Sequence, residues 1–379
     1  MLKISSNKVY INGVFSPKTL SIDNGKIVNI VDGIIDPDVN YEDNKIIPGM
    51  VDIHCHGYLG LSCNNATEEG LIKWIEDLPK EGCTSILAST STGDEKDILD
   101  SFATIAKVID DHPIGAEVLG IHVEGPYISF AKAGAQNKYE IRKPSAIEIE
   151  KWQAVAKGNI KLCCIAPEMD RDHEMIKYCS SHGIRVALGH TNATFEESMS
   201  AIKDGATDFT HTYNGMSQLG HRSPGAVGAA MVSNDAYAEL IADGIHVHPA
   251  AALALAKCKG KDKLVIVTDS VSVKGFEPGI YENEGDKIII HDNGSITKPD
   301  GTLSGSANKM INLLKNSIEV IGIDEETAIN AVTKNPCELL GITNKGRLDI
   351  NCDADLVIID GEYNVLQTYC LGKEMINSK

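Results

Sequence analysis

At 379 residues the chain can hold one large domain with a substantial core plus a smaller accessory layer. Its formal net charge of -18 argues against sequence-independent nucleic-acid binding and general binding to anionic membranes, while leaving room for a small anionic ligand met by local cations. No tract is Pro-rich, Gly/Ser-rich or of one charge sign, so little disorder is expected, and no apolar run approaches the roughly 20 residues of a membrane span.

The start, MLKISSNKVYINGVF, alternates polar and apolar residues like a strand and lacks the continuous apolar segment of a signal peptide. Residues 1 to about 45 continue as short alternating segments (VYINGVF, KTLSIDNG, KIVNIVDG) punctuated by Asn-Gly and Asp-Gly turn signals, which is hairpin grammar. The last thirty-odd residues, GRLDINCDADLVIIDGEYNVLQTYCLGKEM, read the same way. The economical expectation is one small β-sandwich domain built from residues 1–47 and 345–379, flanking an α/β middle at 48–344.

In that middle, strand-like runs alternate with amphipathic helical ones, as repeated βα units require. The strands are IIPGMVDIH, CTSILAST, VLGIHVE, IKLCCIAPE, RVALGH, ATDFTH, AYAELIAD and KLVIVTD, and eight is the number that closes a (β/α)8 TIM barrel. The helices between them include EEGLIKWIEDLPKEG, EKDILDSFATIAKVIDD, DHEMIKYCSSHG, TFEESMSAIKDG and HPAAALALAKCKG, several ending in Gly as helix C-termini favour. From Ser270 to about Gly305 the texture changes to a hairpin followed by a loop, placed after the eighth strand where it would cover the barrel mouth. The ten cysteines form no C-x-x-C pair, and Cys55 and Cys164 lie inside strand-like runs; buried free thiols in a reducing cytoplasm are the expectation.

The strand ends carry the chemistry. His54 and His56 close the first run, Glu124 the third, His190 the fifth, His211 the sixth and Asp269 the eighth. On a strand of period two, the imidazoles of His54 and His56 share a face and can reach one ion. Imidazole and carboxylate are the donors that zinc or iron takes, so at least one divalent metal is expected. Glu124, His190 and His211 with a water make a complete catalytic site, leaving His54 and His56 for a second ion with Glu124 as bridge. Asp269 could be a ligand, a turn cap or a general base; beside such a site the proton-carrying role is expected. In a chain this acidic, a bound phosphate needs a local cation, and Arg222 offers a planar fork suited to its oxygens, with His221 beside it.

These segments resemble the amidohydrolase superfamily, and specifically the N-acetylglucosamine-6-phosphate deacetylases. The likeness runs through PGMVDIHCHG, GIHVEGPY, LGHTNAT, THTYNGM, RSPG, DGIHV, VTDS and DGTLSGS, in family order from the first barrel strand almost to the last helix. HxH alone is shared across the superfamily; EGP, HTYNGM, a downstream Arg and DGIHV together are much more specific. The resemblance implies Glu124, His190 and His211 as primary ligands, Asp269 as catalytic aspartate, and Asn214 with the Gly215 backbone as the turn holding a sugar phosphate. It also implies Arg222 and His246 as phosphate and sugar contacts, the arginine reaching in from the neighbouring subunit of a homodimer, with Ala135, Gln136 and Leu303 also at the substrate. Two departures matter. Gln136 stands where many members have a histidine that touches the acetamide, and His54 with His56 replaces the glutamine-bearing pattern of one-metal members, favouring two ions.

The implied reaction is hydrolysis of the acetamide of N-acetyl-D-glucosamine 6-phosphate, in amino-sugar catabolism or cell-wall recycling. The epimeric N-acetylgalactosamine 6-phosphate is the near rival. Cyclic-amide hydrolysis is the distant one, weakened because IKLCCIAPE offers no lysine at its end to bridge two metals. A barrel that has lost catalysis is opposed by the intact set of ligands.

Overall fold

A computed structural model of the chain describes residues 1–283 and 286–375; residues 376–379, the end of the expected terminal segment, lie outside the described residues. Asn12 and Gly13 take φ of 50° and 84°, and Asn24 and Gly25 take 48° and 78°. Positive φ at both central residues is what a two-residue hairpin needs, so these turns fold Leu2–Ile11, Val14–Asp23 and Lys26–Asp32 into an antiparallel meander. Lys45–Pro48 returns parallel to the first of these and then pairs antiparallel with Leu356–Ile359, which leads on to Val365–Cys370 and Lys373–Met375. Both ends of the chain therefore belong to one eight-stranded sheet, over a core that includes Ile4, Leu20, Ile27, Ile46, Leu356 and Tyr369.

The middle supplies eight parallel strands, numbered here β1 (Met50–Cys55), β2 (Cys83–Thr90), β3 (Glu117–Glu124), β4 (Ile160–Ile165), β5 (Arg185–Leu188), β6 (Asp208–Phe209), β7 (Ala238–Leu240) and β8 (Leu264–Ile266). β1 through β6 pair in sequence order, and β7 pairs with β8. Two further sets of backbone bonds carry the ring round. Tyr237 N–H donates to Thr207 O (2.9 Å) and Thr212 N–H to Glu239 O (2.8 Å), while Asp269 N–H donates to His54 O (2.9 Å) and His56 N–H to Ser270 O (2.6 Å). The strands consequently curl into a barrel-like layer whose C-terminal ends share one mouth. Helices Glu68–Asp77, Glu95–Asp111, Ala146–Val155, Glu174–Ser181, Phe195–Lys203, Gly225–Val232 and Pro249–Lys263 fill the crossovers. Phe195–Lys203 shows the local logic: Thr194 and Glu197 cap each other's backbone N–H groups.

After β8 the chain makes four antiparallel strands, Gly279–Asn283, Asp286–Ile290, Ser295–Thr297 and Leu303–Ser306, where a hairpin and loop were expected. The extra pairing follows from a turn at Asp300-Gly301, with Gly301 at φ 87°, that returns the chain alongside Ser295–Thr297. Its last strand is tied to the mouth, Ser306 N–H donating to Asp269 O at 2.8 Å. All ten cysteines are unbridged and all but Cys258 are buried. Among the described residues, no helix is long and apolar enough to cross a membrane.

Candidate metal and substrate site

Three of the strand ends place their side chains by a backbone break, while His54 and Glu124 project from the strands themselves. His190, His211 and Asp269 hold φ of 43°, 28° and 48°, a left-handed region that non-glycine residues rarely occupy. The chain leaves its strand sharply there, and such strain persists only where surrounding contacts enforce it. Four imidazoles and two carboxylates meet as a result. Glu124 Oε1 lies 2.9 Å from His211 Nε2, 3.2 Å from His190 Nε2 and 3.4 Å from His54 Nε2, while Glu124 Oε2 lies 3.4 Å from His56 Nε2. Asp269 Oδ1 is 3.2 Å from His56 Nε2.

The donor chemistry of this cluster fits a cation. His190 Nδ1 is 2.8 Å from Lys132 O, and His54 Nδ1 is 2.9 Å from Glu239 Oε2, so both nitrogens carry hydrogen and a neutral ring turns the Nε2 lone pair inward. Yet His54 Nε2 faces His56 Nε2 at 3.1 Å, and His190 Nε2 faces His211 Nε2 at 3.1 Å. Acceptors at such distances need protons or a metal between them. The electrostatics say the same: burial opposes charge on His54, but Glu124 and Glu239 push its pKa well above the ordinary value. Burial likewise opposes charge on Glu124, and His54 and His190 hold its carboxyl well below the usual range. Two overlapping donor sets result, His54 with Glu124 and His211, and His54 with His56 and Asp269.

Beside the cluster is a cavity of about 280 Å³. Of the residues expected at the substrate, Ala135, Gln136, Asn214, Gly215, His246 and Leu303 line it, together with His56, Glu124, His190, His211 and Asp269. His54 sits behind its wall, fully buried. Gln136 is committed on both sides: its Oε1 accepts from Thr92 N–H (2.9 Å) and its Nε2 donates to Glu124 Oε2 (2.8 Å), which leaves one amide hydrogen without a partner among the described residues. His246 Nδ1 is 2.7 Å from Asp243 Oδ2; burial opposes its charge, and Asp243 raises its pKa. Gly215, at φ 60°, would be strained by any side chain, and a Cβ there would press on His190 Nδ1 at 3.0 Å. Arg222 and His221 are exposed and do not line the cavity of their own chain.

Four residues escaped the sequence reading. Glu239 and His122 pack against the far side of His54, Asp243 orients His246, and Lys298 lines the cavity from the four-stranded excursion with its Nζ donating to Ala135 O at 2.9 Å. Glu239 had left a signal, a carboxylate in the centre of the apolar run AYAELIAD, where a buried parallel strand tolerates charge only with a partner.

The model of the Amidohydrolase family matches residues 46–375. The chain is 38% identical over 342 residues to the N-acetylglucosamine-6-phosphate deacetylase of Bacillus subtilis (strain 168), covering 89% of this chain and 86% of that protein. It is 31% identical over 354 residues to the N-acetylgalactosamine-6-phosphate deacetylase of Escherichia coli O157:H7, covering 91% and 93%. Among solved structures, a variant of the Mycobacterium smegmatis N-acetyl-D-glucosamine-6-phosphate deacetylase in complex with N-acetyl-D-glucosamine-6-phosphate superposes with a TM-score of 0.93 at 26% identity, over 99% of each chain.

Proposed function

The chain belongs to the Amidohydrolase family, and from that premise we propose that it hydrolyses the acetamide of N-acetyl-D-glucosamine 6-phosphate to D-glucosamine 6-phosphate and acetate. The observation that carries this reading is the convergence of Glu124, His190, His211, His54, His56 and Asp269 beside a cavity of about 280 Å³ that Asn214, Gly215 and His246 also line. The relatives named above that act on 6-phosphorylated N-acetyl amino sugars support the substrate.

Glu124, His190 and His211 would hold one divalent ion, and His54 and His56 a second beside Glu124; zinc and iron both suit these donors. When bound, such an ion polarises the amide carbonyl and acidifies a water molecule. Asp269 takes the proton of the attacking water and returns it to the nitrogen as the C–N bond breaks, so that the amine leaves neutral. Its carboxylate stands ionised and so open to a proton: burial alone would raise its pKa, but the hydrogen bond to His56 and the charges on His54 and His56 hold it below the usual range in the metal-free site. The remaining amide hydrogen of Gln136 meets the carbonyl oxygen as negative charge builds there. Asn214, the Gly215 backbone and His246 receive the phosphorylated sugar, with Ala135 and Leu303 completing the wall. Arg222, exposed and outside its own cavity, is supplied across the interface of a homodimer to the phosphate of the neighbouring site.

The same reading takes the fold as a closed (β/α)8 barrel at residues 48–344, with 1–47 and the described part of 345–379, which ends at residue 375, folded as a small sandwich, and places the reaction in the cytoplasm. Backbone bonds around all eight strands and the unbridged cysteines support it. The test is acetate release by metal-reconstituted protein from N-acetylglucosamine 6-phosphate, its galactosamine epimer and unphosphorylated N-acetylglucosamine. A strong preference for the first is expected. Preference for the epimer would reassign the sugar, and no release from any would remove the deacetylase reading.

A further inference from the structure

We propose that Glu239 is a positioning residue of the metal centre, holding His54 with its hydrogen on Nδ1 and anchoring the backbone of His211, so that both imidazoles offer Nε2 to the ion. This rests on the reading of His54 and His211 as ligands and extends it to the groups that aim them.

The geometry is specific. Glu239 sits in β7 with no exposed surface, and its single oxygen Oε2 accepts from His54 Nδ1 at 2.9 Å and from the His211 backbone N–H at 2.9 Å. These two groups come from β1 and from the turn after β6, so one carboxylate ties together two ligands that no backbone hydrogen bond joins. His211 is also the ligand held at φ 28°, where an anchored N–H keeps a strained residue from relaxing. On another side of His54 the His122 ring packs edge-on with centroids 4.6 Å apart, so the imidazole is confined in its plane as well as by its hydrogen bond. Glu239 lies on the Nδ1 side of His54, away from the Nε2 cluster, and does not line the cavity. It therefore acts through its neighbours and touches no substrate.

The fold alone gives no reason for this residue. Glu239 is hydrogen-bonded to Asp208, its buried neighbour, whose pKa burial first and then Glu239 push well above the usual carboxylate range. Two carboxyls in a barrel interior without a lysine or arginine between them are a net cost to folding that an apolar pair would avoid. A metal ligand whose remote ring nitrogen is fixed by a carboxylate compensates in a different quantity, the affinity and direction of the donor.

The experiment uses zinc-loaded protein labelled with 15N-histidine, His54 being assigned through the resonance lost in His54→Gln. The wild type is expected to show zinc on His54 Nε2 and a downfield Nδ1–H that exchanges slowly with water. Glu239→Gln, whose amide oxygen still accepts, should keep that signal and most of the zinc affinity. Glu239→Leu should lose the protected Nδ1–H, and competition against a chromophoric chelator should report affinity about 10–100-fold weaker. Zinc on His54 Nδ1 in the wild type, or a Leu variant that folds normally with unaltered zinc affinity, overturns the proposal. Should the Leu variant fail to fold, an Nδ1–H in the wild type that exchanges freely overturns it. Neither readout involves substrate, so failure of the deacetylase reading would leave both intact.

Discussion

Replacing Asp269 with Asn removes one function from the site while leaving its shape. The side chain lines the cavity, and its Oδ1 stands 3.2 Å from His56 Nε2 and 3.6 Å from His54 Nε2. Asparagine fills the same space but takes up no proton. Positioned acid–base groups contribute about 10²–10⁴-fold, or about 3–5 kcal/mol of barrier, and Asp269 is assigned both the uptake and the return of the proton, so a loss toward the upper end is expected. Glu124, His190 and His211 are untouched, so at least one ion per subunit should remain, whereas the set of His54, His56 and Asp269 loses an anionic donor. The assay is steady-state acetate release with metal content measured on the same sample: kcat should collapse, KM should change little, and one metal should persist. A variant that keeps kcat within tenfold of the wild type at equal metal content would show that the proton travels by another group.

Metal binding should be linked to protons. Because the imidazoles of His54, His56 and His190 are raised above the ordinary histidine value in the metal-free site, ions must displace protons, and affinity should climb as pH rises through and beyond about 6.5; titration calorimetry in buffers of different ionisation enthalpy would detect the release, and equal apparent enthalpies would refute it. By the same shifts the metal-free protein gains stability below the ordinary histidine pKa and loses it as pH passes the raised values, so its Tm should fall on the alkaline side. Gly215→Ala forces a Cβ to within 3.0 Å of His190 Nδ1 and 3.3 Å of Lys132 O at a left-handed φ; KM for the phosphorylated sugar should rise at least about tenfold, the equivalent of about 1.4 kcal/mol, and an unchanged KM would remove this turn from the phosphate site. Lys345 Nζ lies 2.8 Å from Glu117, 2.9 Å from Asp353 and 2.8 Å from Asp355, joining β3 to the terminal sheet. Lys345→Met strands buried carboxylates at a cost of about 3–5 kcal/mol. For 379 residues that lowers Tm by about 4–6 °C, and calorimetry showing no shift would mean the barrel and sheet are joined by other contacts.

All eight barrel strands could be read from the chain because strand-like runs alternate with amphipathic helical ones, and most of the runs end abruptly in a histidine or carboxylate that an apolar strand does not otherwise need, as in VLGIHVE and KLVIVTD. The helix Gly225–Val232 left no such trace: GAVGAAMV is apolar on every side and has no period to detect. Among the site residues, the strand ends were legible, and Glu239 and His122 were not, since their meaning lies in their facing His54 from other strands; Asp243 was missed because its role lies in how the turn to His246 folds. Lys298 was hidden for another reason. It lies more than 160 residues from Ala135, and only the return of the excursion over the mouth brings them together. Gln136 was legible as a residue near the substrate, but its attachment to Glu124 and Thr92 required the folded turn.

The sheet shared by both termini also sets a schedule. Lys45–Pro48 pairs with Leu356–Ile359, so a ribosome must add some 300 residues after the first strand before its partner exists. At about 5–20 residues per second that is an interval of roughly 15–60 s during which an apolar edge waits unpaired. Lys45 stands at the start of that edge strand, where a cation discourages edge-to-edge association. Any product of premature termination before residue 356 carries that open edge permanently.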